Sequence, residues 1–194
     1  MIVSKEKCRD LSDAAIVQKA LIEVDYFSCL YERYEDKLLR YVLRLSSLSN
    51  QEAEDVLQDA FIKVWRNLNG LDTSLPISSW LYRLVHNETI SYLRKQQSYG
   101  KNKTVDIDLL KAELTDDSAD DESGEDALEF TREMLDAVPL KYREVLVLKY
   151  LEKMPYQEIS DVLKIPEGTV AIRLKRAKDH FKKIAEKGIS NIDF

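Results

Sequence analysis

Apolar residues in this chain recur at three- and four-residue spacings in two stretches separated by a long polar gap. In the first stretch, from near Val24, Phe27, Leu30, Tyr31, Tyr34, Leu38, Tyr41, Val42 and Leu45 keep a helical period. Ser49, followed three residues later by Glu52, is a capping-box signature and predicts a second helix running to about Leu68. Val56, Ala60, Val64 and Leu68 line one side of that helix, with Leu57, Phe61 and Trp65 widening the stripe. Gly70 and Pro76 break the pattern across residues 69–78. A third helix is expected over about residues 79–97, with Leu81, Leu84, Val85 and Tyr92 inward.

The second stretch predicts a helix near residues 127–137 and another opened by Pro139 at its first turn, presenting Leu140, Val145, Leu148 and Leu151 inward. Residues 155–178 then read as a short helix, a tight turn and a second helix. Ile159, Leu163, Ile165, Val170 and Leu174 fall where two crossing helices need apolar groups, and Ser160 is small enough for close approach. Lys164 stands in the turn, where glycine often relieves backbone strain. Arg173, Lys175, Arg176 and Lys178 follow, most of them placed to face outward. Such a helix-turn-helix can lay its second helix in a DNA major groove. A corner of two helices in any small domain alternates in the same way; the cationic second helix is what favours DNA.

No strand pattern of any length is present. The chain is expected to be all-α, two small helical domains joined by an acidic flexible linker. The expected boundaries are an N-terminal extension over 1–23, a domain over 24–98, the linker over 99–126, a second domain over 127–187 and a tail over 188–194. A length of 194 residues with 44% apolar side chains supports one or two such cores.

Charge sharpens this division. The formal net charge is −6, yet residues 106–129 hold eleven carboxylates against Lys111 alone, so the remainder of the chain is net positive. Residues 164–187 carry eight Lys or Arg against three acids, and residues 79–103 carry five against one. Two basic patches separated by an acidic tether suit a polyanionic partner.

Other chemistries are not indicated. The chain has no GxxxxGK[ST], GxGxxG, HExxH or GxSxG motif, and His86 and His180 each lie in a basic helix without a triad around them. No catalytic residue, metal site or cofactor is expected. No run of about 18 apolar residues occurs, and the N-terminus lacks a stretch of signal-peptide type. Cys8 and Cys29 show neither metal-ligand spacing nor CxxC, so reduced cytosolic thiols are expected, with Cys29 a small core residue.

Residues 51–65 (QEAEDVLQDAFIKVW), followed by Ser79-Trp-Leu-Tyr-Arg-Leu-Val-His-Asn87 and Tyr92-Leu-Arg-Lys95, closely resemble the first conserved domain of the extracytoplasmic-function (ECF, group 4) sigma factors of the sigma-70 family. Residues 138–150 (VPLKYREVLVLKY) with the helix-turn-helix resemble their second domain. The resemblance implies a region 2-like bundle and a region 4-like helix-turn-helix. It implies a cytoplasmic bacterial protein that binds core RNA polymerase, directs it to promoters and promotes DNA melting, with no enzymatic activity of its own.

By resemblance, Glu54, Asp55, Leu57, Gln58, Asp59 and Phe61 dock on the coiled coil of the largest polymerase subunit, with a second contact at the polymerase flap. Arg83, Asn87, Ser91, Arg94 and Lys95 face the −10 element, where the separated strand offers unpaired base edges that an amide such as Asn87 can read. Lys149, Thr169, Ala171, Ile172, Arg173, Lys175, Arg176 and Lys178 face the −35 element. Trp80 is expected as a core anchor and His86 at the solvent surface. The partners implied are core polymerase, promoter DNA as duplex and melted strand, and an anti-sigma factor, with no insertion into a membrane. The linker is implied to thread the RNA path of the polymerase as an anionic mimic of RNA. The competing reading is a stand-alone two-domain regulator that binds duplex DNA without polymerase, its first domain serving dimerisation or sensing.

Overall fold

The computed structural model describes residues 5–71, 76–99 and 135–190. The expected linker, apart from its first residue, and most of the helix expected over 127–137 lie outside the described residues. The helices are α1 (Lys5–Arg9), α2 (Asp13–Ala20), α3 (Phe27–Leu45), α4 (Asn50–Asn67), α5 (Ile77–Tyr99), α6 (Leu140–Leu146), α7 (Tyr156–Leu163) and α8 (Glu167–Ser190). Short 3₁₀ turns at Val24–Tyr26 and Leu68–Gly70 precede α3 and follow α4, and a π-helical turn at Val147–Leu151 extends α6. No strand occurs among the described residues. The helices fall essentially into two compact units, α1–α5 and α6–α8.

In the first unit, the periodic apolar residues of α3, α4 and α5 close on one another. Leu30, Leu38, Tyr41, Val42, Val56, Ala60, Val64, Leu81 and Val85 are buried there. Each large side chain of this kind contributes about 1.5–3 kcal/mol through removal from water. An aromatic cluster joins α3 to α4: Phe27 lies 5.2 Å from Trp65 and Tyr31 4.7 Å from Phe61, ring centre to ring centre. Trp65 edges this cluster and stays 40% exposed, so the stripe read from sequence is wider than the face the fold buries.

The start of α4 forms the expected capping box. The Ser49 hydroxyl accepts from the Glu52 backbone N–H at 3.3 Å, and the Ser49 N–H donates to the Glu52 carboxylate at 2.9 Å. The other Glu52 oxygen accepts from Gln96 at 2.8 Å and from the Tyr92 hydroxyl at 3.3 Å, tying the end of α5 to the start of α4. These hydrogen bonds, that of the Ser49 backbone foremost, hold the Glu52 carboxyl below its ordinary range.

Two expectations are corrected in this unit, and a segment on which the sequence was silent is seen to be helical. The segment before α3 forms α1 and α2, a hairpin not visible in the periodicity. Ser12 caps α2 by accepting from Ala15, and Ile16, Val17 and Ala20 are buried. Arg33 of α3 grips the hairpin, donating to Asp13 at 2.6 Å and to the carbonyls of Cys8 and Leu11 at 2.6 and 2.8 Å. Tyr34 donates to the second Asp13 oxygen. The cysteines are not separate thiols: Cys8 and Cys29 are joined as a disulfide across 21 residues of sequence. Cys29 is nonetheless buried as expected. His86 does not face solvent. It is 7% exposed, its Nδ1 lies 2.9 Å from the Tyr41 hydroxyl, and burial pushes its pKa down to about 4.

The second unit packs α6 along α8. Val145, Leu148, Met154, Ile159, Val170, Leu174 and Ala177 form its core. Pro139 precedes α6 as its cap residue, and Leu140 and Leu151 are only half-buried. Arg143 is buried and holds the turn before α6, donating to the Asp136 carboxylate at 2.7 Å, the Asp136 carbonyl at 2.8 Å and the Val138 carbonyl at 3.3 Å. Tyr142 of α6 stacks on His180 of α8, with ring centres 4.9 Å apart.

Candidate nucleic-acid interface

The turn between α7 and α8 sets the geometry of the cationic helix. Lys164 ends α7 in the left-handed region, at φ 53° and ψ 45°. The Ser160 hydroxyl donates to the Ile165 carbonyl at 2.6 Å, so the small residue read as permitting close approach also fastens the turn. Pro166 then leads into α8, which begins at Glu167.

On α8, Val170, Leu174 and Ala177 face the core at one-turn spacing, which leaves Ala171, Ile172, Lys175, Arg176 and Lys178 on the exposed side. Ile172 is 55% exposed on this face. Thr169 is half-buried at the helix start. Arg173 departs from the expected outward set. It turns back to the Glu144 carboxylate at 2.6 Å, where it supports the packing of α6 on α8. Burial raises the Glu144 pKa, and the adjacent guanidinium opposes that rise.

Two aromatic residues escaped notice in the sequence. The Lys149 ammonium lies 5.0 Å from the ring centre of Tyr156, and that of Lys178 lies 5.4 Å from Tyr150. Lys149 also donates to the Met154 carbonyl at 3.3 Å. Both tyrosines are exposed on their outer faces. At exposed sites, cation–π contacts of this kind contribute only modestly toward placing a lysine, and hydrogen bonding to Tyr150 raises the Lys178 pKa. The sequence signal was available, since Tyr150 and Tyr156 flank Lys149 at close range, but nothing local showed which ring each lysine would meet.

In the first unit, α5 places Arg83, Asn87, Ser91 and Arg94 along one ridge through three- and four-residue steps, with Lys95 at its edge. Asn87, Arg94 and Lys95 are exposed, and Arg83 is half-buried. Ser91 donates to the Asn87 carbonyl at 2.7 Å, so its hydroxyl hydrogen is committed to its own helix. Trp80, on the same ridge one turn earlier, is half-buried rather than a fully enclosed anchor. The loop expected to frame a flipped base has residues 72–75 outside the described set.

The outer face of α4 carries Glu54, Asp55, Gln58 and Asp59, all exposed. Leu57 and Phe61 are not open to a partner; at 2% and 4% exposure they belong to the core of their own unit. The apolar residue in line with the acids is Ile62, 44% exposed one turn beyond Gln58. Periodicity already placed Leu57 and Phe61 on the inward stripe and left Ile62 among the acids; only the family resemblance assigned the first two to a partner. Lys63 forms an ion pair with the largely buried Glu88, which couples α4 to α5. No group of three or more His, Cys, Asp or Glu able to hold a metal occurs among the described residues.

Comparison with known proteins follows this geometry. Residues 30–99 match the family model for Sigma-70 region 2, and residues 131–181 match that for Sigma-70, region 4. The chain is 35% identical over 167 residues to the ECF RNA polymerase sigma factor SigW of Bacillus subtilis (strain 168), covering 82% of this chain and 88% of that relative. Its fold is similar to that of CnrH in complex with the cytosolic domain of CnrY, with a TM-score of 0.67 and 20% identity over 90% of this chain and 97% of that one. The sigma factor RpoE from Bartonella quintana, in complex with the anti-sigma factor NepR, gives a TM-score of 0.65 and 20% identity over 82% and 96%.

Proposed function

The chain belongs to the ECF group of the sigma-70 family, and from that premise we propose how its two cationic helix faces divide the work of initiation. The protein is a promoter-specific initiation factor for RNA polymerase and not an enzyme. In the proposed division, α8 reads the −35 element as duplex. Ala171 and Ile172 meet base methyl groups, Lys175 and Arg176 donate to base acceptors, and Lys149, Thr169 and Lys178 face phosphate. Phosphate contacts position the helix and base contacts select the sequence. Arg173, committed to Glu144, orients α8 instead of touching DNA.

On α5, Arg83, Arg94 and Lys95 draw the melted −10 strand to the ridge, and Asn87 reads an unpaired base. The acids of α4, Glu54, Asp55 and Asp59 with Gln58, dock on the coiled coil of the largest polymerase subunit, and Ile62 replaces Leu57 and Phe61 as the apolar contact there. The polymerase flap holds the second unit. The domain limits are proposed as 24–98 and 127–187, with the acidic residues 99–126 as linker and RNA mimic. An anti-sigma factor is the proposed regulator, and the cytoplasm the proposed location. No helix among the described residues is long and apolar enough to cross a membrane.

The observation that carries this reading is the exposed cationic face of α8, set by a fastened helix-turn-helix. Its test is a paired substitution, Lys175→Ala with Arg176→Ala, in reconstituted holoenzyme. We expect the −35 preference to be lost while polymerase binding and thermal stability stay unchanged. Promoter choice unaltered by the pair would refute the assignment.

A further inference from the structure

We infer that Cys8 and Cys29 form a redox modification site that latches the α1–α2 hairpin onto α3. They are the chain's two cysteines, and the fold brings their Cα atoms to 5.3 Å across 21 residues of sequence. That separation lies within the range a disulfide bridges without moving the backbone. The two sulfurs sit on elements of unequal rigidity. Cys29 lies in the first turns of α3, between Phe27 and Tyr31, whose rings pack on Phe61 and Trp65 of α4. Cys8 lies on α1, a helix of five residues, and a helix that short is marginal by itself.

Without the disulfide, the hairpin is held by the Arg33 and Tyr34 hydrogen bonds and by the burial of Ile16, Val17 and Ala20. These contacts bring Cys8 back to Cys29 after each opening, so the thiols meet repeatedly. Cys8 and Cys29 are 6% and 1% exposed in the closed fold, so a small oxidant, a low-molecular-weight disulfide such as oxidised glutathione, meets Cys8 in the opened hairpin. The Cys8 thiolate attacks that disulfide and releases one small thiolate. The Cys29 thiolate then attacks Cys8 Sγ in the mixed disulfide and expels the second. Two protein thiols become one disulfide, and the reagent is reduced to two thiols; an excess of the reduced thiol reverses the step. Closed, the latch prevents the hairpin from leaving α3 unless α3 itself unravels. Open, residues 5–20 exchange with a detached state by local unfolding. The inference stands on the hairpin alone and does not depend on the promoter assignment.

The test uses the full chain equilibrated in buffers of graded reduced and oxidised glutathione. Free thiols are trapped by alkylation and counted by mass spectrometry, and amide hydrogen exchange of α1 and α2 is followed in both states. We expect a reversible passage from two alkylated cysteines to none, within single molecules. Amides of α2 should exchange about tenfold or more slower in the oxidised state, since closing a loop of this length strongly restrains the opened chain. Cys8→Ser should exchange at the reduced rate at every glutathione ratio; α1 carries little of the core, so this variant keeps the fold. Thiols that remain alkylatable at every ratio, disulfides between molecules, or equal exchange in the two states would each overturn the inference.

Discussion

Tyr41 and His86 meet in the interior of the first unit, where the imidazole has lost most of its water. Unfolded, the ring takes up a proton below its ordinary 6.5; folded, it resists until about 4. Between those values the unfolded chain binds more protons, so stability present at neutral pH is lost as pH falls through that window. The loss attributable to this ring is on the order of 3 kcal/mol. Denaturant unfolding of wild type against His86→Gln checks it: any advantage of the wild type at neutral pH should shrink by about that amount on acidification. Lys164 offers a second residue-level test. Its left-handed backbone favours a residue without Cβ, so Lys164→Gly should stabilise the second unit by up to about 1 kcal/mol in urea unfolding. Lys164→Val should destabilise it. Lys164 was read as standing where glycine often relieves strain, and the structure shows why: the backbone is left-handed with lysine in place.

At the scale of elements, the start of α4 depends on Ser49 and Glu52 acting on each other's backbone groups. Ser49→Ala should cost about 1 kcal/mol of stability, and Ser49→Gly only a fraction of that, by thermal or denaturant unfolding. This cap was legible in the sequence because its partners stand three residues apart. The helix-turn-helix was legible for the same reason, since every apolar contact it needs lies within one short segment. The α1–α2 hairpin was not. Its helices of five and eight residues are too short to show a period, and Arg33 secures them from twenty and more residues away. Burial of His86 depends on Tyr41, 45 residues distant, and the disulfide on two helices folding back on each other. Spacing did place Phe61 on the covered stripe and Ile62 off it, but it could not show that Trp65, at the edge of that stripe, would stay 40% exposed. Local periodicity places a stripe on a helix; which edge of it is covered is decided by the neighbouring helix. The same limit explains Arg173, which reads as one cation among several until α6 brings Glu144 against it.

For the whole molecule, an acidic chain presents two exposed basic ridges, one on α5 and one on α8, in separate compact units. Binding through phosphates should weaken steeply with salt. Lys178→Ala, at a proposed phosphate contact, should lower affinity for promoters uniformly and reduce the slope of log affinity against log salt by about one. Under the proposed division, binding of one ridge raises the local concentration of the other at its element. The measurement that tests this most directly is sequencing of the RNA starts made from a promoter library by core polymerase reconstituted with the full chain. Upstream of those starts, two separated sequence elements should emerge, with Arg176→Ala altering base preference only in the farther one and Asn87→Ala only in the nearer. A single element, or the same sequence selectivity on duplex DNA in the absence of polymerase, would contradict the account.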